Sequence, residues 1–187
     1  MPRLFLLRQA GVTLAEMLFV VAILALTARI AIPSASPLAS ISTDAATAEI
    51  MRAIRFAQRE AMRTGAWHAV RIDTTTQTLR VYRLTATGTE DTTIPVLHPI
   101  DKQTYNLAFN TGGGPARATI ALVDFDYVGA GNANLNTLSF GPDGTPDLVT
   151  GPNPKDIHPM TAGLVSIKTG TSQRNLAIDV VTGRISG

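Results

Sequence analysis

The sequence contains no cysteine, which excludes disulfide staples, thiolate metal sites and a cysteine nucleophile. A domain outside the reducing cytoplasm would have to stand on packing alone. Aromatic residues make up 5% of the chain, too few for a base-stacking surface. His68, His98 and His158 are the 3 histidines. None stands at i, i+4 from another ligand type or beside a carboxylate cluster, so no shared metal site is expected. There is no Gly-x-Ser-x-Gly elbow and no phosphate-binding Gly-x-x-x-x-Gly-Lys loop, and Gly112-Gly113-Gly114 precedes a proline rather than a helix. Neither catalysis nor a cofactor is expected.

The chain also lacks a decisive charge imbalance. Its pI of about 9.3 suggests an anionic partner, but Lys+Arg is 16 against 14 Asp+Glu, and two of the 16 are Arg3 and Arg8. If residues 1–11 are removed as a leader, 16 − 2 = 14 basic residues balance the 14 acidic ones. Nucleic-acid binding would then rest on local patches, not on the field of the whole protein.

What the chain does have is one long apolar run with a single carboxylate in it. Val12–Ile32 is 21 residues and interrupted by Glu16 near its start and Arg29 near its end. As a helix it would reach roughly 31 Å, about the hydrocarbon thickness of a bilayer. Arg3 and Arg8 precede it, and beyond Arg29 no Lys or Arg follows until Arg52, so the positive-inside bias places the N-terminus in the cytoplasm and the bulk outside. An ionised side chain in hydrocarbon costs roughly 2.5–3.5 kcal/mol on insertion scales, so Glu16 calls for a reason. A conventional signal peptide, with Ser34-Ala35-Ser36 as a loose cleavage site, and a plain membrane anchor are two readings of the run. Neither explains a glutamate at the fifth residue past a glycine.

Gly11-Val12-Thr13-Leu14-Ala15-Glu16, followed by the apolar run and Pro33, resembles the class III leader of type IV pilins and type II secretion pseudopilins. The resemblance implies cleavage between Gly11 and Val12 by a prepilin peptidase, methylation of the new Val12 amine, and a helix bend at Pro33. Glu16 would then pair with a Val12 amine of a neighbouring subunit during filament assembly.

Thr43–Thr64 reads as a second helix, or as a continuation of the first past a flexible Pro33–Pro37 stretch, with Ser42, Thr43 and Asp44 as cap candidates and Gly65 as its stop. At 100° per residue Ala46, Ile50, Ile54, Ala57 and Ala61 share one face. Arg52, Arg55, Arg59 and Arg63 share the opposite one, either a solvated face, a contact with acidic filament neighbours, or a phosphate track diluted by Glu49 and Glu60.

After Gly65 the pattern turns to period two. Trp67–Ile72 and Thr78–Leu84 form an expected hairpin around Asp73–Gln77. Further strands are expected at Thr119–Tyr127, Leu138–Phe140, Leu164–Lys168 and Leu176–Val180, separated by Gly/Pro clusters. A long helix followed by antiparallel strands is an α+β architecture. Asp143 and Asp147 in Gly141–Asp147 read as turn chemistry, and no metal is assigned to them.

Ala53–Ile72, Phe140–Gly144 and Leu176–Ile185 are similar to the GspH/FimT class of minor pilins and pseudopilins, while 85–137 is a variable region. The resemblance implies a type IV pilin-like fold and a non-enzymatic subunit that initiates or caps a periplasmic pseudopilus, partnered by other pilins and anchored in a bacterial inner membrane. Its other branch, in natural transformation, includes members that bind DNA through a C-terminal Gly-Arg-x-Arg. Here Gly183-Arg184-Ile185-Ser186 lacks the second arginine, and Arg184, Arg174 and Lys168 are the candidate DNA contacts. The implied organisation is a leader (1–11), a membrane helix (12–32), an amphipathic helix (33–64) and a β-rich domain (65–187).

Overall fold

The computed structural model describes residues 13–31, 35–112, 117–129, 135–153 and 156–187. Two compact units divide the chain near residue 35. In the first, helix α1 (Leu14–Ala31) has 18 residues. At ~1.5 Å per residue it measures about 27 Å, short of a ~30 Å hydrocarbon core. Among the described residues no helix is long and apolar enough to cross a membrane. The expected 21-residue span begins at Val12 and ends at Ile32, and Gly11, Val12, Ile32 and Pro33 lie outside the described residues.

The second unit is an α+β domain built on helix α2 (Ala35–Thr64). This helix starts eight residues earlier than its sequence pattern indicates, and Pro37 lies inside it. The proline costs little there, because a first-turn residue has no intrahelical acceptor for an N–H. Ser42 and Thr43 are not caps. Their hydroxyls donate to the carbonyls of Leu38 and Ala39, each at 2.9 Å, and Thr47 donates to Thr43 at 2.7 Å. The expected stop is where it should be: Gly65 has φ +63°, the left-handed conformation that ends a helix.

Nine strands follow among the described residues: β1 (His68–Asp73), β2 (Thr78–Arg83), β3 (Asn106–Ala108), β4 (Thr119–Tyr127), β5 (Thr137–Phe140), β6 (Asp147–Val149), β7 (Ile157–Thr169), β8 (Ser172–Ile178) and β9 (Ile185–Ser186). They form two antiparallel sheets, one ordered β3-β2-β1-β5 and the other β4-β7-β8-β9 with β6 paired to β7. The expected hairpin is β1–β2, in register from His68 opposite Arg83 to Asp73 opposite Thr78. Its turn is closed by the Asp73 carboxylate, which accepts from the amides of Thr75 and Thr76.

The buried face of α2 supplies the centre of the core. Ala46, Ile50, Ala53, Ile54, Ala57 and Ala61 are fully buried and belong to one cluster with residues of both sheets. The alanines keep that face shallow, so the helix can approach Val70, Leu138, Val165 and Leu176 closely. Tyr127 ties the sheets together from β4: its hydroxyl donates to the Thr137 carbonyl at 3.2 Å and accepts from the Ser139 amide at 3.4 Å.

Candidate functional sites

The head of α1 is organised by Thr13. Its carbonyl and its hydroxyl oxygen both accept from the Glu16 amide, at 3.0 and 3.3 Å, so Thr13 caps the helix and Glu16 occupies its third position. The Thr13-x-x-Glu16 spacing is a capping signature legible in the sequence, and a carboxylate in a first turn is favoured by the helix dipole. Glu16 is exposed and has no ion-pair partner among the described residues. Every side chain from Thr13 to Thr27 is exposed, including Phe19 at 69% and Leu26 at 69%. From Leu14 to Leu26 the helix carries apolar side chains on every side, broken only by Glu16 in its first turn. Thr27 adds no polar cost, since its hydroxyl bonds the Ile23 and Leu24 carbonyls.

On α2 the four arginines are exposed but not equivalent. Arg52 pairs with Glu49 and Arg63 with Glu60, each one turn away. Arg55 and Arg59 have no carboxylate partner among the described residues, and Arg59 Nε donates to the Arg55 carbonyl at 3.2 Å.

The chain end comes to this same part of α2. After β8, the Asp179 carboxylate accepts from the amides of Val181 and Thr182 and from the Thr182 hydroxyl, and the Gly183 amide donates to the Asp179 carbonyl. The bond from Thr182 Oγ1, then those amides, hold Asp179 below the usual carboxylate range. Gln58 fastens the loop to the helix, its side-chain nitrogen donating to the carbonyls of Thr182 at 2.7 Å and Gly144 at 2.8 Å. Gly183 has φ +66° and lies against Phe140 and Gln58, where a Cβ would meet Phe140 Cε1 at 2.7 Å. Arg184 follows directly. With Arg55, Gln58, Arg59, Gly183 and Ile185 it lines a groove of about 510 Å³.

Of the three candidate DNA contacts, Arg184 alone reaches this groove. Arg174 is bonded to Asp44 on α2 at 2.9 Å. Lys168 pairs with Gln173 while Arg174 pairs with Ile167, so the two basic side chains leave opposite faces of the β7–β8 ladder. No local pattern signals the conjunction of Arg55, Arg59 and Arg184, because it depends on a loop folding back across more than half of the chain.

The remaining polar residues serve local structure. Asp143 accepts from the Thr145 amide and hydroxyl, and that hydroxyl also lies 2.7 Å from Asp147 Oδ2, so both carboxylates belong to the turn between β5 and β6. His68 is buried in β1, its Nδ1 2.9 Å from the Ala66 carbonyl. His98 stacks edge-on against Tyr105 at 4.7 Å, and His158 Nδ1 lies 2.8 Å from the Val128 carbonyl. Among the described residues no group of three or more metal-ligating side chains comes together.

Neither a family model nor a curated protein matches the sequence. Solved structures similar to the chain include the minor pseudopilin EpsH of the Type 2 Secretion System of Vibrio cholerae. One EpsH structure is 17% identical, covering 78% of this chain and 94% of EpsH, with a TM-score of 0.46. A second is 16% identical over 82% and 97%, also at 0.46. The type IV minor pilin FimU of Pseudomonas aeruginosa is 16% identical over 77% of this chain and 86% of FimU, with a TM-score of 0.44.

Proposed function

We propose that the chain is a minor pilin or pseudopilin: a structural subunit that starts or caps a periplasmic pseudopilus in type II secretion. The reading rests on Glu16, a carboxylate with no ion-pair partner among the described residues, at the head of a helix that has no polar face and five residues past Gly11. A helix without a polar face has to be covered by lipid or by other subunits. A prepilin peptidase cuts after Gly11, Val12 becomes the methylated N-terminus, and the inner membrane holds the apolar segment until the subunit is extracted. Pro33 lets that segment bend as it enters the filament.

The cut has an electrostatic consequence. It creates an amine at Val12, four residues before Glu16 in sequence, and opposite charges attract far more strongly in a low-dielectric filament core than in water. Pairing the Glu16 carboxylate of one subunit with the Val12 amine of the next sets the axial register, and an unprocessed subunit has no amine to offer. Glu16→Ala tests this. The variant should be processed and membrane-bound, with reduced co-purification of partner pilins; undiminished co-purification would contradict the role given to Glu16.

A further inference from the structure

Three guanidinium groups without a carboxylate ion-pair partner among the described residues meet at one place in the domain. On α2 the outer arginines, Arg52 and Arg63, are neutralised by Glu49 and Glu60, while the inner pair, Arg55 and Arg59, stand about 6 Å apart along the helix without a carboxylate partner among the described residues. The loop between β8 and β9 delivers a third guanidinium, Arg184, to that same turn. Three like charges around one groove repel each other, and the single carboxylate of Asp179 beside Arg184 offsets only part of the cost.

The groove suits a short anionic group better than an extended polyanion. A duplex carries a phosphate charge about every 1.7 Å and is followed by a long basic track. Here the track stops at an ion pair on either side, and Asp179, which borders the adjoining hollow with Arg184, puts a negative charge on the rim. Guanidinium groups bind carboxylates through paired N–H donors, and Ile185 offers an apolar wall for the methylenes of an acidic side chain. The groove is also held in shape before anything binds, because Gln58 bonds the loop to the helix and Gly183 packs against Phe140.

We propose that the Arg55–Arg59–Arg184 groove docks a carboxylate-bearing segment of the adjacent filament subunit. This rests on the assembly reading above and deepens it. The apolar face of α2 is spent on its own core, so a neighbour that meets this helix meets the arginine face.

The test measures binding of a labelled, end-capped polyglutamate peptide to the full-length chain in uncharged detergent, with a short DNA duplex at the same ionic strength. Salt-sensitive peptide binding should weaken about tenfold or more in Arg59→Ala/Arg184→Ala, the scale of lost charge-assisted bonds, and stay within about twofold of the parent in Arg52→Ala/Arg63→Ala. Absence of peptide binding, or equal loss in both variants, overturns the proposal. So does tighter binding of the duplex that the first variant abolishes, which would make the groove a nucleic-acid site. Leader processing reports on the assembly reading without involving the groove, so the two fail separately.

Discussion

Gln77 joins the two sheets through the backbone of Ile120. Its side-chain carbonyl accepts from the Ile120 amide at 2.8 Å, and its side-chain nitrogen donates to the Ile120 carbonyl at 3.0 Å. An amide side chain thus does for the end of β4 what a neighbouring strand would do. Gln77 sits in the β1–β2 turn with φ +54°, and its own carbonyl accepts from Phe109 after β3, so one residue gathers three segments.

Gln77→Ala removes both bonds to Ile120 and should cost about 1–3 kcal/mol, since part-buried backbone groups lose their partners. Urea unfolding measures it. A cost within a few tenths would mean that water replaces the side chain freely. Tyr127→Phe removes another polar link between the sheets and should cost about 1 kcal/mol.

Gly183→Ala should be destabilising by more than the ~1–2 kcal/mol of a left-handed residue with a Cβ, because the new methyl also meets Phe140 and Gln58. Thermal unfolding reports the loss. The same variant should weaken polyglutamate binding, since the turn that delivers Arg184 would shift.

The two faces of α2 should respond very differently. Ile54→Ala leaves a cavity in the main core and should cost about 2–5 kcal/mol, and Ala57→Leu overfills it for about 1–3 kcal/mol. Arg52→Ala, which breaks only an exposed pair, should stay within about 0.5 kcal/mol. Denaturant midpoints of the three variants would order them.

Stability should fall with acid in two stages. Burial, acting against the bond to Ala66, lowers the pKa of His68 from 6.5, so the unfolded chain binds the proton more readily than the folded one. Stability from this group is complete above about pH 6.5 and declines as pH falls toward the lower folded value. Asp73, held by the Thr76 and Thr75 amides, and Asp179, held chiefly by Thr182, have folded pKa values below 3.8, so their contribution is lost only at lower pH still. Unfolding free energy measured across pH should show both stages, and His68→Gln should remove the first.

The periodic elements were legible from the residues alone. β4 runs from Thr119 to Tyr127 as its alternation indicates, and the face of α2 marked by Ala46, Ile50, Ile54, Ala57 and Ala61 is the buried one. Elements defined by their partners were not. β3, β6 and β9 have two or three residues each and exist because a longer strand offers a ladder. β7 was expected only from Leu164, yet it begins at Ile157 and contains Pro159. That proline lies where β7 changes partner from β6 to β4, so its missing N–H leaves no ladder position empty. β8 ends at Ile178, short of the expected Val180, because Asp179 draws the next amides into a turn. At the candidate sites, Glu16 and Arg184 stood out in the sequence, whereas Arg55 and Arg59 gained meaning only from the return of the chain end to their turn of α2.

If the chain is processed as a prepilin, intact-mass spectrometry after co-expression with a prepilin peptidase will register the cut itself. The expected result is loss of residues 1–11, a new N-terminus at Val12 with the added mass of one methyl group, and no cleavage in a Gly11 variant with a bulky side chain. An uncut chain, or one cut near Ser34-Ala35-Ser36, would contradict it.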